Sequence, residues 1–199
     1  MSTKSKDLND PIGLFASWFT EAQSTEVNDA GAMALATYDP NQKRISNRMV
    51  FLRGFDEAGF VFYTHLDSPK SNDLIAHPNT ALAFHWKSSR RQIRIEGDAT
   101  PLANSDVDRF FVSRPEKSQR DIWASKQSRV LSSRKQLFDE RTAIERLKDK
   151  DLHRRPEHWC GYCLVPDRIE FWASDREAMH DRFVFVRESE TWLKSLLYP

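Results

Sequence analysis

The four residues Ser68-Pro69-Lys70-Ser71 are where residue type and spacing point most directly to chemistry. Serine can cap a helix and proline suits its first position, so the free backbone N–H groups of the first turn would point outward beside a lysine. That is an anion site, most naturally one for phosphate, although the same residues also describe an ordinary capped helix. Elsewhere the chain offers Arg48, Gln92, Arg114, Gln127, Ser128, His180 and Arg182, an array rich in groups that bind phosphate. There are only 6 glycines and no GxGxxG, GxxxxGK(S/T), GxSxG or HExxH. If the chain is an enzyme, a bound cofactor is therefore expected to carry the chemistry.

The elements that must position these groups follow from periodicity. A strand over 48–54, a turn over 56–59 and a strand over 60–64 read as a hairpin that delivers the chain to a helix over 68–76. Upstream, Asp10-Pro11 opens a helix in which Phe15, Trp18, Phe19 and Ala22 recur at helical spacing, which is a core-packing stripe. Strands are expected over 32–38, 80–87 and 92–102. In the last of these Gln92, Arg94 and Glu96 share one face and Ile93 and Ile95 the other. That polar row is either the wet face of a sheet or the lining of a pocket. Two short helices, 104–113 and 116–125, flank Pro115, and a charged helix over 135–150 precedes strands over 159–165, 168–173, 182–187 and 191–197. The sum is a mainly β (α+β) fold, an antiparallel barrel with peripheral helices. Residues 1–9 read as a disordered leader and 10–199 as a single domain.

Composition narrows the function classes. A chain of 199 residues with 39% apolar content is long enough for one sizeable core. A net charge of +1 gives no support to nucleic-acid binding through bulk charge. The apolar runs are too short to span a bilayer and MSTKSKDLND has no secretory core, so a cytoplasmic protein without a membrane partner is expected. Cys160 and Cys163 lie near His153 and His158, but positions three apart on a strand face opposite ways, so no metal site is expected.

The blocks DPIGLF, NRMVFL, GFVFYTHLDSPK, RRQIRIEG, FFVSRPEKSQ, WASKQS, RIEFW and MHDRF, in this order, resemble the pyridoxamine 5'-phosphate oxidase family over nearly the whole chain, from Asp10-Pro11 to Leu197-Tyr198-Pro199. The resemblance implies a split β-barrel homodimer with FMN at the subunit interface. It puts Arg48, Ser68 and Lys70 around the FMN phosphate, Val50, Arg53, Tyr63 and Thr64 on further cofactor positions, and Gln92 near the isoalloxazine ring. It assigns Gln127, Ser128, Trp172 and Arg182 to the second subunit, Arg53, Phe110, Arg114, Ser118 and His180 to the substrate, and catalytic roles to His180 and Arg53.

The chain departs from the family pattern in four places: Arg53 stands for a lysine, Phe110 for a tyrosine, Ala178 for an arginine that Arg176 would have to replace, and Pro69 for an arginine. Only nine residues precede Asp10-Pro11, so the segment that covers substrate in better-known members is not expected. The implied activity is oxidation of pyridoxamine or pyridoxine 5'-phosphate, a phosphorylated B6 vitamer, to pyridoxal 5'-phosphate, with O2 as acceptor and H2O2 as product. A phenazine-pathway type of flavin enzyme and a non-catalytic flavin- or pyridoxal-phosphate-binding protein are the alternatives.

Overall fold

The structure, a computed structural model, describes residues 10–145, 153–174 and 180–199. The expected leader, the end of the expected helix 135–150, and both Arg176 and Ala178 lie outside the described residues. Helix α1 (Pro11–Thr25) starts where the sequence places it: Asp10 accepts a hydrogen bond from the Gly13 N–H at 2.8 Å, and Pro11 fills the first turn. Its Phe15 is fully buried, with ring centroids 4.8 Å from Phe55, 4.9 Å from Phe60 and 5.3 Å from Phe84. Those edge-on contacts hold α1 to the sheet.

The remaining elements are β1 (Ala32–Asp39), β2 (Arg44–Phe51), β3 (Gly54–Asp56), β4 (Gly59–His65), α2 (Pro69–Ala76), β5 (Asn79–Trp86), β6 (Arg91–Pro101), α3 (Asn104–Ser113), α4 (Glu116–Ala124), α5 (Arg134–Glu145), β7 (Trp159–Ala173), β8 (Asp181–Glu188) and β9 (Thr191–Leu196). The strands form one antiparallel sheet in the order β2-β1-β5-β6-β7-β4-β3, with β8 also on β7 and β9 on β8. Strand β7 pairs along one edge first with β4 and then with β8, which splits the curved sheet into the two lobes of a split β-barrel.

Register divides the sheet into two faces, because successive side chains alternate. Leu35, Leu82, Ile95, Ile169 and Phe185 are consecutive cross-strand partners, and each is fully buried. One residue away, Met49, Ala34, Ala83, Arg94, Glu170 and Val184 form the corresponding row on the opposite face. On the β2 side that face is open: Ile45 is 73% exposed and Met49 62%.

Two expectations are corrected. The strand over 48–54 is two strands: Leu52 donates to Gly31 O and Arg53 to Val61 O, both at 2.8 Å, so the chain changes partner there. Everything before it pairs with β1, and only Gly54–Asp56 pairs with β4. The strands over 159–165 and 168–173 are one strand, β7, of 15 residues. A bulge absorbs Asp167, between the pairs Glu96–Arg168 and Gly97–Pro166, and Gly97 is needed because a Cβ there would run into the Val165 carbonyl oxygen.

Candidate functional site

Helix α2 begins just after the end of β4, and Tyr63, Thr64 and His65 of β4 line a cleft together with Lys70 of α2. Ser68 sits at the N-cap position but its side chain caps nothing; the hydroxyl donates to His65 O at 2.7 Å. The expected cap is thus a turn brace that fixes where Lys70 emerges. Lys70 is 7% exposed, and its Nζ donates to Thr64 Oγ1 at 3.0 Å and Gln127 Oε1 at 2.7 Å. Among the described residues no carboxylate pairs with it. Burial, and then the nearby Arg48 guanidinium, lower its pKa from 10.5 to about 8. A buried ammonium held, among the described residues, by neutral acceptors alone carries a desolvation cost that no counter-charge offsets.

Arg48 stands beside it on β2, on the face of Leu35. It donates to Thr37 Oγ1 at 2.6 Å and Leu35 O at 3.2 Å, with Asp73 of α2 4.0 Å away. Thr37 in turn donates to Asp73 at 2.6 Å, so β1, β2 and α2 are locked together behind the cleft. Burial lowers the Arg48 pKa against the pull of Asp73.

The cleft encloses about 290 Å³ and is lined by Val50, Arg53, Tyr63, Thr64, His65, Lys70, Arg114, Gln127 and Trp159 among others, with no carboxylate in the lining. Its second cationic end is Arg53 with Arg114. The Arg114 Nε is buried without a partner among the described residues, and burial, then the charge of Arg53, lowers the Arg114 pKa. Between the two ends lies an aromatic wall: Tyr63 stacks on Phe110 at 4.0 Å and on Trp159 at 5.0 Å. Gly161 lies opposite Tyr63 in the ladder, and a Cβ there would stand 2.8 Å from the tyrosine ring, so only glycine leaves the ring this room. His65 faces the same cleft with its pKa lowered to about 4 by burial, then by the stacked His158 ring and by Lys70. It is neutral at pH 7, and Lys70 carries the charge.

Gln92, Trp172 and Arg182 are cross-strand neighbours on the opposite face of the sheet, and the exposed His180 lies 4.8 Å from the Trp172 ring. Arg182 is held through its Nε by Glu170 Oε1 at 2.8 Å. Glu170 is 3% exposed, and Arg94 and Arg168 lie 3.3 and 3.6 Å from it. Burial raises the Glu170 pKa, but the Arg182 hydrogen bond and the three arginine charges outweigh it and leave the carboxyl below its ordinary range.

The structure therefore brings Arg48, Val50, Arg53, Tyr63, Thr64, Lys70, Arg114 and Gln127 together, with Phe110 behind Tyr63. It holds Gln92, Trp172, Arg182 and His180 apart from them as a second group. Ser118 is half-buried in the first turn of α4 and does not line the cleft. Gln127, expected from a second subunit, meets Lys70 within one chain, and Ser128 follows it, exposed, at φ 66°. The two thiols take different partners, Cys160 beside Thr64 O and Ser71, Cys163 beside Ala58 O. Sequence reasoning missed His65, Trp159 and Gly161. An isolated glycine inside the strand pattern WCGYC was the available signal of a close approach.

Two family models match the chain: "Pyridoxamine 5'-phosphate oxidase" over residues 19–146 and "Pyridoxine 5'-phosphate oxidase C-terminal dimerisation region" over 159–199. Among curated proteins, the pyridoxine/pyridoxamine 5'-phosphate oxidase of Sphingopyxis alaskensis is 49% identical over 193 residues, covering 96% of this chain and 88% of that protein. That of Pelagibacter ubique is 44% identical, covering 97% and 93%. Among solved structures, PhzG from Burkholderia lata 383, in complex with tetrahydrophenazine-1-carboxylic acid, is similar with a TM-score of 0.88 and 30% identity over 96% of this chain and 93% of that one. A pyridoxamine 5'-phosphate oxidase-related, FMN binding protein from Nostoc punctiforme shares the fold, with a TM-score of 0.77 and 20% identity over 96% of this chain and 98% of that one.

Proposed function

Because this chain belongs to the pyridoxamine 5'-phosphate oxidase family and is an FMN-dependent oxidoreductase of it, we propose that it oxidises pyridoxamine or pyridoxine 5'-phosphate at C4' to pyridoxal 5'-phosphate, with O2 as the final acceptor. The observation that carries this reading is the buried Lys70, an uncompensated cation in a cleft without carboxylates. Lys70 and Arg48 hold the FMN phosphate, Thr64 and Gln127 orient the lysine toward it, and Val50 and Tyr63 line the flavin side. When bound, FMN supplies the two-electron acceptor that O2 regenerates with release of H2O2.

Arg53 and Arg114, at the other cationic end, grip the substrate phosphate as charge-assisted hydrogen-bond donors. Arg53 takes the place of a compact ammonium with a planar fork, which keeps the charge and changes the geometry. The substrate loses a hydride from C4' and a proton from its amine or hydroxyl, and water then releases ammonia where the substrate was the amine. The aromatic wall excludes bulk water from the face of the ring.

Gln92, Trp172, Arg182 and His180 belong to the same site only through a second copy of the chain, since they lie on the opposite sheet face from Arg48. The match of residues 159–199 to a dimerisation region supports a homodimer. In that arrangement His180 meets the substrate ring from across the interface.

A second reading keeps the flavin and changes the substrate to a reduced phenazine precursor. The likeness to PhzG favours it, as does Phe110, which brings no hydroxyl to the phosphate end. Anaerobic mixing of the FMN-loaded protein with pyridoxamine 5'-phosphate, followed at the flavin absorbance, tests the choice. Bleaching upholds the first reading. Bleaching by tetrahydrophenazine-1-carboxylic acid alone replaces it with the second.

A further inference from the structure

The loop Ser113-Arg114-Pro115 joins α3 to α4, and its direction decides where the Arg114 guanidinium points. The side chain itself is weakly anchored: its Nε is buried without a partner among the described residues, and its guanidinium rests over the Phe110 ring at 5.7 Å. The backbone is held on both sides. Arg114 N donates to Phe111 O at 3.1 Å, and Arg114 O accepts from the side-chain amide of Gln119 at 2.8 Å. Gln119 lies on α4, is 2% exposed, and donates with the same Nε2 to Val112 O at 3.3 Å, near the end of α3. Its own N–H donates to Pro115 O at 3.1 Å, so this one residue ties together the end of α3, the loop and the start of α4.

The acceptor end of the same amide is orphaned: Gln119 Oε1 is buried and has no partner among the described residues. An unsatisfied buried carbonyl is destabilising, and an apolar side chain of similar volume would avoid that cost. The amide is therefore kept for its donor end. We propose that Gln119 is the positioning residue for Arg114: it fixes the loop carbonyl so that the guanidinium enters the cleft beside Arg53. Gln119 does not touch substrate. It presets the direction of a charge that does, and so spares the substrate phosphate the ordering of the loop. This rests on the reading that Arg114 grips the substrate phosphate.

The test is steady-state kinetics of the FMN-loaded enzyme with pyridoxamine 5'-phosphate, for wild type, Gln119→Met, Arg114→Ala and the double variant. Gln119→Met is expected to raise KM about tenfold, the equivalent of roughly one hydrogen bond, while kcat and FMN affinity stay within about twofold. In the Arg114→Ala background the same change is expected to add nothing. Gln119→Glu is the second variant: protonated, it can donate to one of the two carbonyls; ionised, it repels both. Its KM relative to wild type is therefore expected to climb with pH. An unchanged KM in Gln119→Met, or an equal effect with and without Arg114, overturns the proposal. If Arg114→Ala itself leaves KM unchanged, the reading of the substrate phosphate site falls with it, and the two failures are told apart by that variant alone.

Discussion

Replacing Lys70 by methionine should move two measurements in opposite directions. The lysine is 7% exposed, with its pKa lowered from 10.5 to about 8 by burial and by Arg48. At 1.36 kcal/mol per unit, that lowering is about 3 kcal/mol held against the folded state of the empty protein at neutral pH. Methionine fills a similar volume without the charge. The deletion orphans neither neighbour, because Thr64 Oγ1 still donates to Gln127 Oε1 at 3.0 Å. The flavin-free variant should therefore be more stable than wild type by about 1–3 kcal/mol, read from urea unfolding at a fixed protein concentration. FMN should bind more weakly by about 1.5–3 kcal/mol, the worth of a hydrogen bond to a charged group, or roughly 10- to 150-fold in Kd by flavin fluorescence titration. Riboflavin, which lacks the phosphate, should bind variant and wild type alike. A variant that is less stable when empty, or that keeps wild-type FMN affinity, would refute the argument that Lys70 is an uncompensated cation reserved for an anion.

The same lysine sets a pH dependence: an anion prefers it protonated, so FMN affinity should be lost as pH rises through about 8 toward 10, and Lys70→Arg should abolish the loss in that window. His65 is expected to govern an acid limb. Its folded pKa of about 4 lies below the ordinary 6.5, so the unfolded chain binds the extra proton between these values and stability falls as pH drops through them; urea titrations of His65→Phe should show a shallower slope. If Arg182 serves the partner's cleft, then mixing Lys70→Met with Arg182→Ala chains should restore about one intact site in four by the statistics of a two-fold dimer, and no recovery in FMN binding would show that Arg182 does not complete the partner's cleft. Gly161→Ala should push Tyr63 off its stack with Phe110 and Trp159, lowering both stability and FMN affinity, and unchanged values would show that the strand has room to give.

Local signals were sufficient for the elements whose ends are made locally. Asp10 and Pro11 announce α1, the alternation of Ala and buried Met33, Leu35 and Thr37 announces β1, and Ser68-Pro69-Lys70 marks the start of α2. The ordered family blocks carried the fold, and with it the list of residues to look for. What the chain could not declare in one dimension was which backbone groups would pair. Leu52 and Arg53 have good strand neighbours on both sides, and only the competing acceptors Gly31 O and Val61 O divide the strand there. Pro166 looks like a strand terminator until Gly97, on another strand, allows the bulge that carries β7 past it. The site shows the same limit. Lys70 and Gln127 are 57 positions apart, and no spacing rule says that they share a hydrogen bond within one chain while Arg182 faces the other side of the sheet. Nor can composition tell a paired lysine from an unpaired one. Charge is a property of the residue, but desolvation and the absence of a counter-charge among the described residues belong to everything packed around it, and those are what make Lys70 a candidate anion site rather than one more solvated lysine.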